Sequence, residues 1–194
     1  MTPEEAIRAA STLLNERRAS GRLIVGIDGA GGAGKSTLAE GIRQAFVGRV
    51  SIIRCDDFYR PIAEHEIVAL DPQAGYEEYF DWKRLRDEAL IPLRDGSPAK
   101  YRRYDWSTDR LAEWIVIESR EIILIEGVYS TRPELRQLLD VAIFIDTPRE
   151  ERLRRMRARP QENTSWIKRW MAAEDWSLEN IAPQHHADLV IEGF

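Results

Sequence analysis

The chain has 194 residues, 43% of them hydrophobic and 31% charged, with a formal net charge of −5 and a pI near 5.4. That mix suits one globular domain with a substantial core and excludes a disordered chain. The acidic balance excludes a protein whose main task is to coat nucleic acid or an anionic membrane, so no partner of either kind is expected.

Met1-Thr2-Pro3-Glu4-Glu5 is acidic and lacks the basic-then-apolar pattern of a leader. No apolar run approaches the roughly 20 residues that cross a bilayer, so a soluble cytoplasmic domain is expected. Thr2 as N-cap and Pro3 in the first turn open an amphipathic helix over 3–19, with Ala6, Ile7, Ala10, Leu13 and Leu14 at helical spacing. Leu23 to Asp28 is a continuous apolar run, as in a strand buried on both faces of a parallel sheet. A glycine-rich loop follows, then a helix from Ser36 to about Phe46. Val50-Ser51-Ile52-Ile53 forms a second strand ending at Cys55-Asp56-Asp57. Cys55 is the single cysteine, which rules out an internal disulfide.

Residues 60–110 are polar and aromatic with few clear periods. They read as an insertion of short helices with a hairpin near Tyr101–Trp106. Further strands are expected at 121–125, 141–145 and 188–191, and helices at 133–139, 148–157 and 164–175. Alternation of strands and helices predicts an α/β fold with a five-stranded parallel sheet covered on both faces. Ligands bind beyond the carboxyl ends of such strands. Asp28, Asp56, Glu126 and Asp146 each stand at such an end.

The octet Gly29-Ala30-Gly31-Gly32-Ala33-Gly34-Lys35-Ser36 has the Gly-x4-Gly-Lys-Ser pattern of a phosphate-binding loop. Backbone N–H groups and the following helix N-terminus face the anion. Lys35 supplies charge to the β- and γ-phosphates, and the Ser36 hydroxyl is a Mg²⁺ ligand. ATP with Mg²⁺ is the expected cofactor pair.

Asp56 or Asp57 could take the proton of an acceptor hydroxyl, or the pair could form a solvated turn or N-cap. Glu126 reads as a Mg²⁺ partner, with a helix cap beside Gly127 as its alternative. Arg152, Arg155 and Arg159 share one helix face and suit phosphate oxygens. A solvated basic face paired with Glu150 and Glu151 explains them equally well. Trp166 and Trp170, four residues apart, read as a packing stripe, and adjacent His185 and His186 make a poor metal site.

Taken in order, these segments resemble the uridine kinase and phosphoribulokinase group of P-loop kinases. Gly26-Ile27-Asp28-Gly29 leads into the loop and Thr37 closes it. Asp56-Asp57-Phe58-Tyr59-Arg60, Phe80-Asp81, Tyr104-Asp105-Trp106, Ile125-Glu126-Gly127-Val128, Arg152-Leu153-Arg154-Arg155 and Ala187-Asp188-Leu189-Val190 follow the family's later segments. The resemblance implies Asp56 as general base, in preference to Asp57, and Ser36 and Glu126 as the Mg²⁺ positions. It implies Asp81 at sugar hydroxyls, with Tyr59, Phe80 and Tyr104 in the acceptor pocket. It implies Arg152, Arg155 and Arg159 at phosphates in a lid around 152–165, a substrate-binding insertion around 60–115, and a homo-oligomer. The chain departs from the family's nucleoside kinases in two ways. No histidine lies between Tyr104 and Arg110, where those kinases read a pyrimidine base, and Arg159-Pro160 replaces the usual Arg-Asp of the lid. The expected activity is transfer of the ATP γ-phosphate to a hydroxyl of a nucleoside-like substrate. A pantothenate, sugar or glycerate type of acceptor is the alternative, and an ATP-binding regulatory switch is a further one.

Overall fold

The computed structural model describes residues 1–18, 21–158 and 164–194. Helix α1 (Pro3–Arg17) starts at a capping box. Thr2 Oγ1 accepts from the Glu5 N–H at 3.2 Å, and the Glu5 carboxylate accepts from the Thr2 N–H at 2.8 Å. Strand β1 (Leu23–Asp28) leads into the glycine-rich loop and α2 (Lys35–Ala45), and β2 (Val50–Arg54) into a 3₁₀ turn over Cys55–Phe58. The 60–110 segment resolves into α3 (Glu64–Ala69), α4 (Pro72–Glu78) and a helical run of α5 (Trp82–Leu85), a π-helical turn (Arg86–Leu90) and α6 (Ile91–Arg94).

The hairpin is larger than the sequence reading has it. Strand β3 (Ala99–Asp105) pairs antiparallel with β4 (Arg110–Ile117), so its second arm runs well past Trp106. Strand β5 (Ile122–Glu126), α7 (Pro133–Arg136), β6 (Val141–Asp146), α8 (Arg149–Arg157), α9 (Thr164–Asn180) and β7 (Leu189–Glu192) complete the chain. Helix α9 runs five residues beyond the expected 175, because its last turns still bury Ser177.

The sheet has five parallel strands in the order β2-β5-β1-β6-β7. Side chains alternate along each strand, so each central strand feeds two cores. Leu23, Val25, Ile27, Ile122, Leu124, Ile143 and Ile145 pack under α1 and α2. Ile24, Ile53, Ile123 and Ile125 pack against Leu85, Ala89, Leu90 and Leu93 of the α5–α6 run and Tyr101 of the hairpin. Among the described residues no helix is long and apolar enough to cross a membrane. The order places β1 and β5 side by side, with β2 outside β5. The loop after β1, Glu126 at the end of β5 and the turn after β2 therefore share one edge.

Candidate active site

Gly34 caps α2 with φ of 109°, a left-handed value that a side chain resists, and this turns the loop into the helix. Lys35 is buried in the hollow of the loop, where Nζ donates to Gly29 O at 2.8 Å and to Ala30 O at 3.0 Å. In the first turn of α2, Ser36 Oγ donates to the Glu126 carboxylate, 3.0 and 3.1 Å from its two oxygens. The two expected metal positions therefore meet across β1. Burial raises the Glu126 pKa, and the nearby negative charge of Asp56 raises it further.

Asp56 is exposed on the 3₁₀ turn after β2, whereas Asp57 is half-buried and engaged elsewhere. Tyr101 OH donates to Asp57 Oδ2 at 3.0 Å, and Arg84 Nη2 donates to its backbone carbonyl at 3.0 Å. Asp57 fastens the turn to the hairpin, while the charge of Asp56 acts on Glu126. Asp28 does not join them. It is buried and accepts from the N–H groups of Gly29, Tyr129 and Thr131 at 2.7, 3.0 and 2.9 Å and from Thr131 Oγ1 at 2.7 Å. It braces the loop against the segment after β5. Asp146 is exposed at the end of β6.

Tyr59 and Phe80 form an antiparallel bridge, flanked by Asp81 N–H to Phe58 O at 2.8 Å and Arg60 N–H to Tyr79 O at 2.9 Å. Their rings meet at 5.3 Å, and Tyr59 also meets Tyr104 at 5.1 Å and Trp106 at 4.6 Å. Tyr104 OH donates to Asp109. The Asp81 carboxylate caps α5, accepting from the Arg84 N–H at 2.9 Å. Tyr59, Phe80 and Tyr104 thus form one aromatic wall, and Asp81, next to Phe80, serves as a helix cap. Trp170 extends the wall and packs on Trp166 as the spacing suggests.

On α8, Arg152 is 4% exposed, with Nε donating to Thr147 O at 3.1 Å and Nη1 to Glu174 at 3.1 Å. Arg155 Nη1 donates to Gly32 O at 3.3 Å and its Nε to Glu151 at 2.7 Å. Both arginines stand against the loop. Arg159, and with it residues 159–163 of the expected lid, lies outside the described residues. Two buried charged residues at the site were not singled out in the sequence. Glu174 accepts from the Gly31 N–H at 3.0 Å. Arg132 lies under the rings of Tyr76 and Trp82 with its Nη1 unpartnered, and it lines a narrow cleft with Cys55, Phe80 and Tyr129. A larger open cleft of about 530 Å³, lined by Arg18, Arg22, Arg49 and Arg120, lies at the opposite end of the strands and holds none of the candidate residues.

A phosphate loop whose serine meets a strand-end carboxylate, with a second acid and an aromatic wall beside it, defines a P-loop phosphotransferase. The sequence model of the Phosphoribulokinase / Uridine kinase family matches residues 24–193, and the chain belongs to that family. It is 33% identical over 167 residues to uridine-cytidine kinase B of Dictyostelium discoideum, covering 84% of this chain and 64% of that protein. It is 27% identical over 181 residues to a uridine kinase of Staphylococcus epidermidis, covering 87% and 86%. Its fold matches a structure described as a "Possible Uridine Kinase" from Bacillus stearothermophilus with a TM-score of 0.78 at 24% identity, covering 98% of this chain and 100% of that one. It also matches a D-glycerate 3-kinase from Cryptococcus neoformans with a TM-score of 0.64 at 16% identity, covering 89% and 87%. The chain is an ATP-dependent phosphotransferase that acts on a hydroxyl.

Proposed function

We propose that the chain transfers the γ-phosphate of ATP, with Mg²⁺, to a hydroxyl of a small nucleoside-like acceptor. The observation that carries this reading is the Ser36–Glu126 contact at 3.0 Å, with Asp56 close enough to raise the Glu126 pKa. A hydroxyl and a carboxylate at that spacing suit one hard divalent ion. Among the described residues no group of three or more acidic, His or Cys side chains gathers there. The ion would take its other ligands from phosphate oxygens and water. When bound, Mg²⁺ neutralises charge on the β- and γ-phosphates.

The protein's own steps are few. Lys35 leaves the Gly29 and Ala30 carbonyls for the phosphates. Asp56 accepts the acceptor's proton as its oxygen bonds to the γ-phosphorus, and the bond to the β–γ bridging oxygen breaks to release ADP. Arg152, Arg155 and Arg159 stabilise charge in transfer, and closure of the 152–165 lid excludes water. Tyr59, Phe80, Asp81 and Tyr104, from the 60–115 insertion, hold the acceptor. A cytoplasmic homo-oligomer belongs to the same reading.

A different hydroxyl acceptor is the second reading, favoured by the segment from Tyr104 to Arg110, which holds no histidine. A panel of nucleosides, sugars, glycerate and pantothenate, assayed with ATP and mass detection of product, decides between them. Turnover of uridine or cytidine above the rest supports the first reading. Phosphorylation of glycerate, pantothenate or a sugar alone supports the second.

A further inference from the structure

Helix α9 makes two contacts four residues apart, on one face. Trp170 Nε1 donates to the Tyr59 hydroxyl at 3.3 Å, in the acceptor wall. One turn later Glu174, 4% exposed, divides its carboxylate between two partners. Oε1 accepts from the Gly31 N–H at 3.0 Å, and Oε2 accepts from Arg152 Nη1 at 3.1 Å. Arg152 in turn holds Thr147 O at 3.1 Å, and Thr147 Oγ1 donates to Ala33 O at 2.9 Å. A closed circuit therefore runs from the phosphate loop through Glu174, Arg152 and Thr147 back to the loop.

A buried carboxylate beside a loop built for a triphosphate is a costly choice. Packing alone does not require it, because an amide of the same shape would fill the space. The charge itself has two effects: it fixes the arginine fork, and it occupies a backbone donor at the loop's edge. Burial raises the Glu174 pKa, while the positive charge of Lys35 and the Gly31 N–H work in the other direction.

We propose that Glu174 is a positioning residue for phosphoryl transfer: it fixes the Gly31 edge of the phosphate loop and holds Arg152 beside it. Through the face of α9 that it shares with Trp170, it ties the geometry of the loop to the acceptor wall. This role rests on the kinase reading above. It also makes an unusual demand. Removing the charge leaves Arg152 with Asp175 at 3.6 Å as its remaining acidic partner and more of its charge free for the phosphates, so ATP is held no less tightly. The loop edge and the arginine lose their fixed places, so transfer slows.

The test compares wild type with Glu174→Gln, Glu174→Asp and the control Asp175→Asn; the Asp175 carboxylate pairs with Arg149 at 3.2 Å and stands 3.6 Å from Arg152. Thermal stability, MgATP affinity without acceptor, kcat and both KM values are measured. Glu174→Gln should bind MgATP as tightly as wild type or more tightly, while kcat falls about tenfold or more. Glu174→Asp, with the charge restored one methylene short, should recover part of kcat, and Asp175→Asn should stay within about threefold of wild type. Wild-type turnover in Glu174→Gln overturns the proposal. So does a joint loss of stability, MgATP affinity and kcat, the mark of a merely structural role. Should Glu174→Gln fail to fold, Glu174→Asp and Arg152→Lys carry the same split between binding and turnover. Failure of the kinase reading shows separately, as a wild type that phosphorylates no acceptor. The MgATP affinity of Glu174→Gln then decides: unchanged or tighter supports the role, weaker overturns it.

Discussion

Lys35 donates to two carbonyls of its own loop, so a phosphate must offer it more than those bonds do, and the charge of the anion supplies the difference. Asp57 makes the contacts to Tyr101 and Arg84 that fasten the turn, and Asp56 beside it is exposed. Asp56→Asn should therefore keep the fold and MgATP affinity but lower kcat roughly a hundredfold to ten-thousandfold, the usual contribution of a general base. Turnover near wild type in a single-turnover assay sinks the assignment. Glu126 makes a prediction about pH. Burial and then Asp56 raise its pKa above the usual 4.5, so the folded metal-free protein holds this proton more tightly than the unfolded chain does. Its contribution to stability is present below 4.5 and is lost as pH rises through the raised value. Mg²⁺ competes with that proton, so Mg²⁺ affinity should climb across the same window. Titration calorimetry at a series of pH values checks this, and Glu126→Gln should give weak binding with a flat profile. Lys35, Ser36 and Glu126 were legible because each falls within or directly after a recognisable motif. Glu174 was not, because its partners lie 22 and 143 residues away in the chain.

The strands of the sheet were readable as elements because burial on both faces leaves continuous apolar runs such as Ile122 to Ile125. β4 obeys a different rule. Ile115 and Ile117 pack inward while Trp114 and Val116 are exposed, so Trp114-Ile115-Val116-Ile117 is apolar on both faces although one faces water. Neither a buried run nor a clean alternation results, and the hairpin's second arm was hidden. The boundaries of the site are also set by element ends. Gly127 follows β5 with φ of 153°, and an added Cβ would lie 2.3 Å from the Cβ of Cys55. No glycine-free version of this turn keeps the ends of β2 and β5 at their present separation, and those ends carry Asp56 and Glu126. Gly127→Ala should cost roughly 1–3 kcal/mol in backbone strain alone. It should also lower kcat, because the acid and the metal position move apart. Denaturant unfolding and steady-state kinetics on the same preparation test this. An alanine variant with native stability and rate would show that the close approach has no role.

Across the whole molecule, the two signs of charge are unevenly placed. The chain carries a net −5, and at the sheet edge that carries the phosphate loop Asp56, Glu126 and Glu174 stand with Lys35, Arg54, Arg152 and Arg155. The Glu174 charge is answered by Arg152 at 3.1 Å and Asp57 is tied to Tyr101, whereas Glu126 has a neutral serine at 3.0 Å and the largely exposed Arg54 at 3.8 Å. Burial raises the pKa of Asp57, Glu126 and Glu174 alike, because desolvation disfavours their charged forms. A triphosphate brought to this edge without a metal meets the Glu126 carboxylate, whose charge repels it. Were Mg²⁺ held at Glu126 and Ser36, it would answer the carboxylate's charge and turn that repulsion into a bridge of attraction. ATP affinity should therefore depend on the metal more strongly than a loop and a lysine alone would require. Chelation with EDTA should weaken ATP binding by about tenfold or more, and adding Mg²⁺ back should restore it. Thermal unfolding gives the same answer independently: at a hundred times its Kd, MgATP should stabilise the fold by about 2.7 kcal/mol, and ATP with EDTA at that concentration by clearly less. Glu126→Gln separates this account from a general salt effect. It removes the repelling charge together with the metal's partner, so metal-free ATP should bind the variant better than it binds wild type. Equal metal-free affinities in the two proteins would place the Mg²⁺ dependence on the nucleotide alone and leave the carboxylate edge without a part in it.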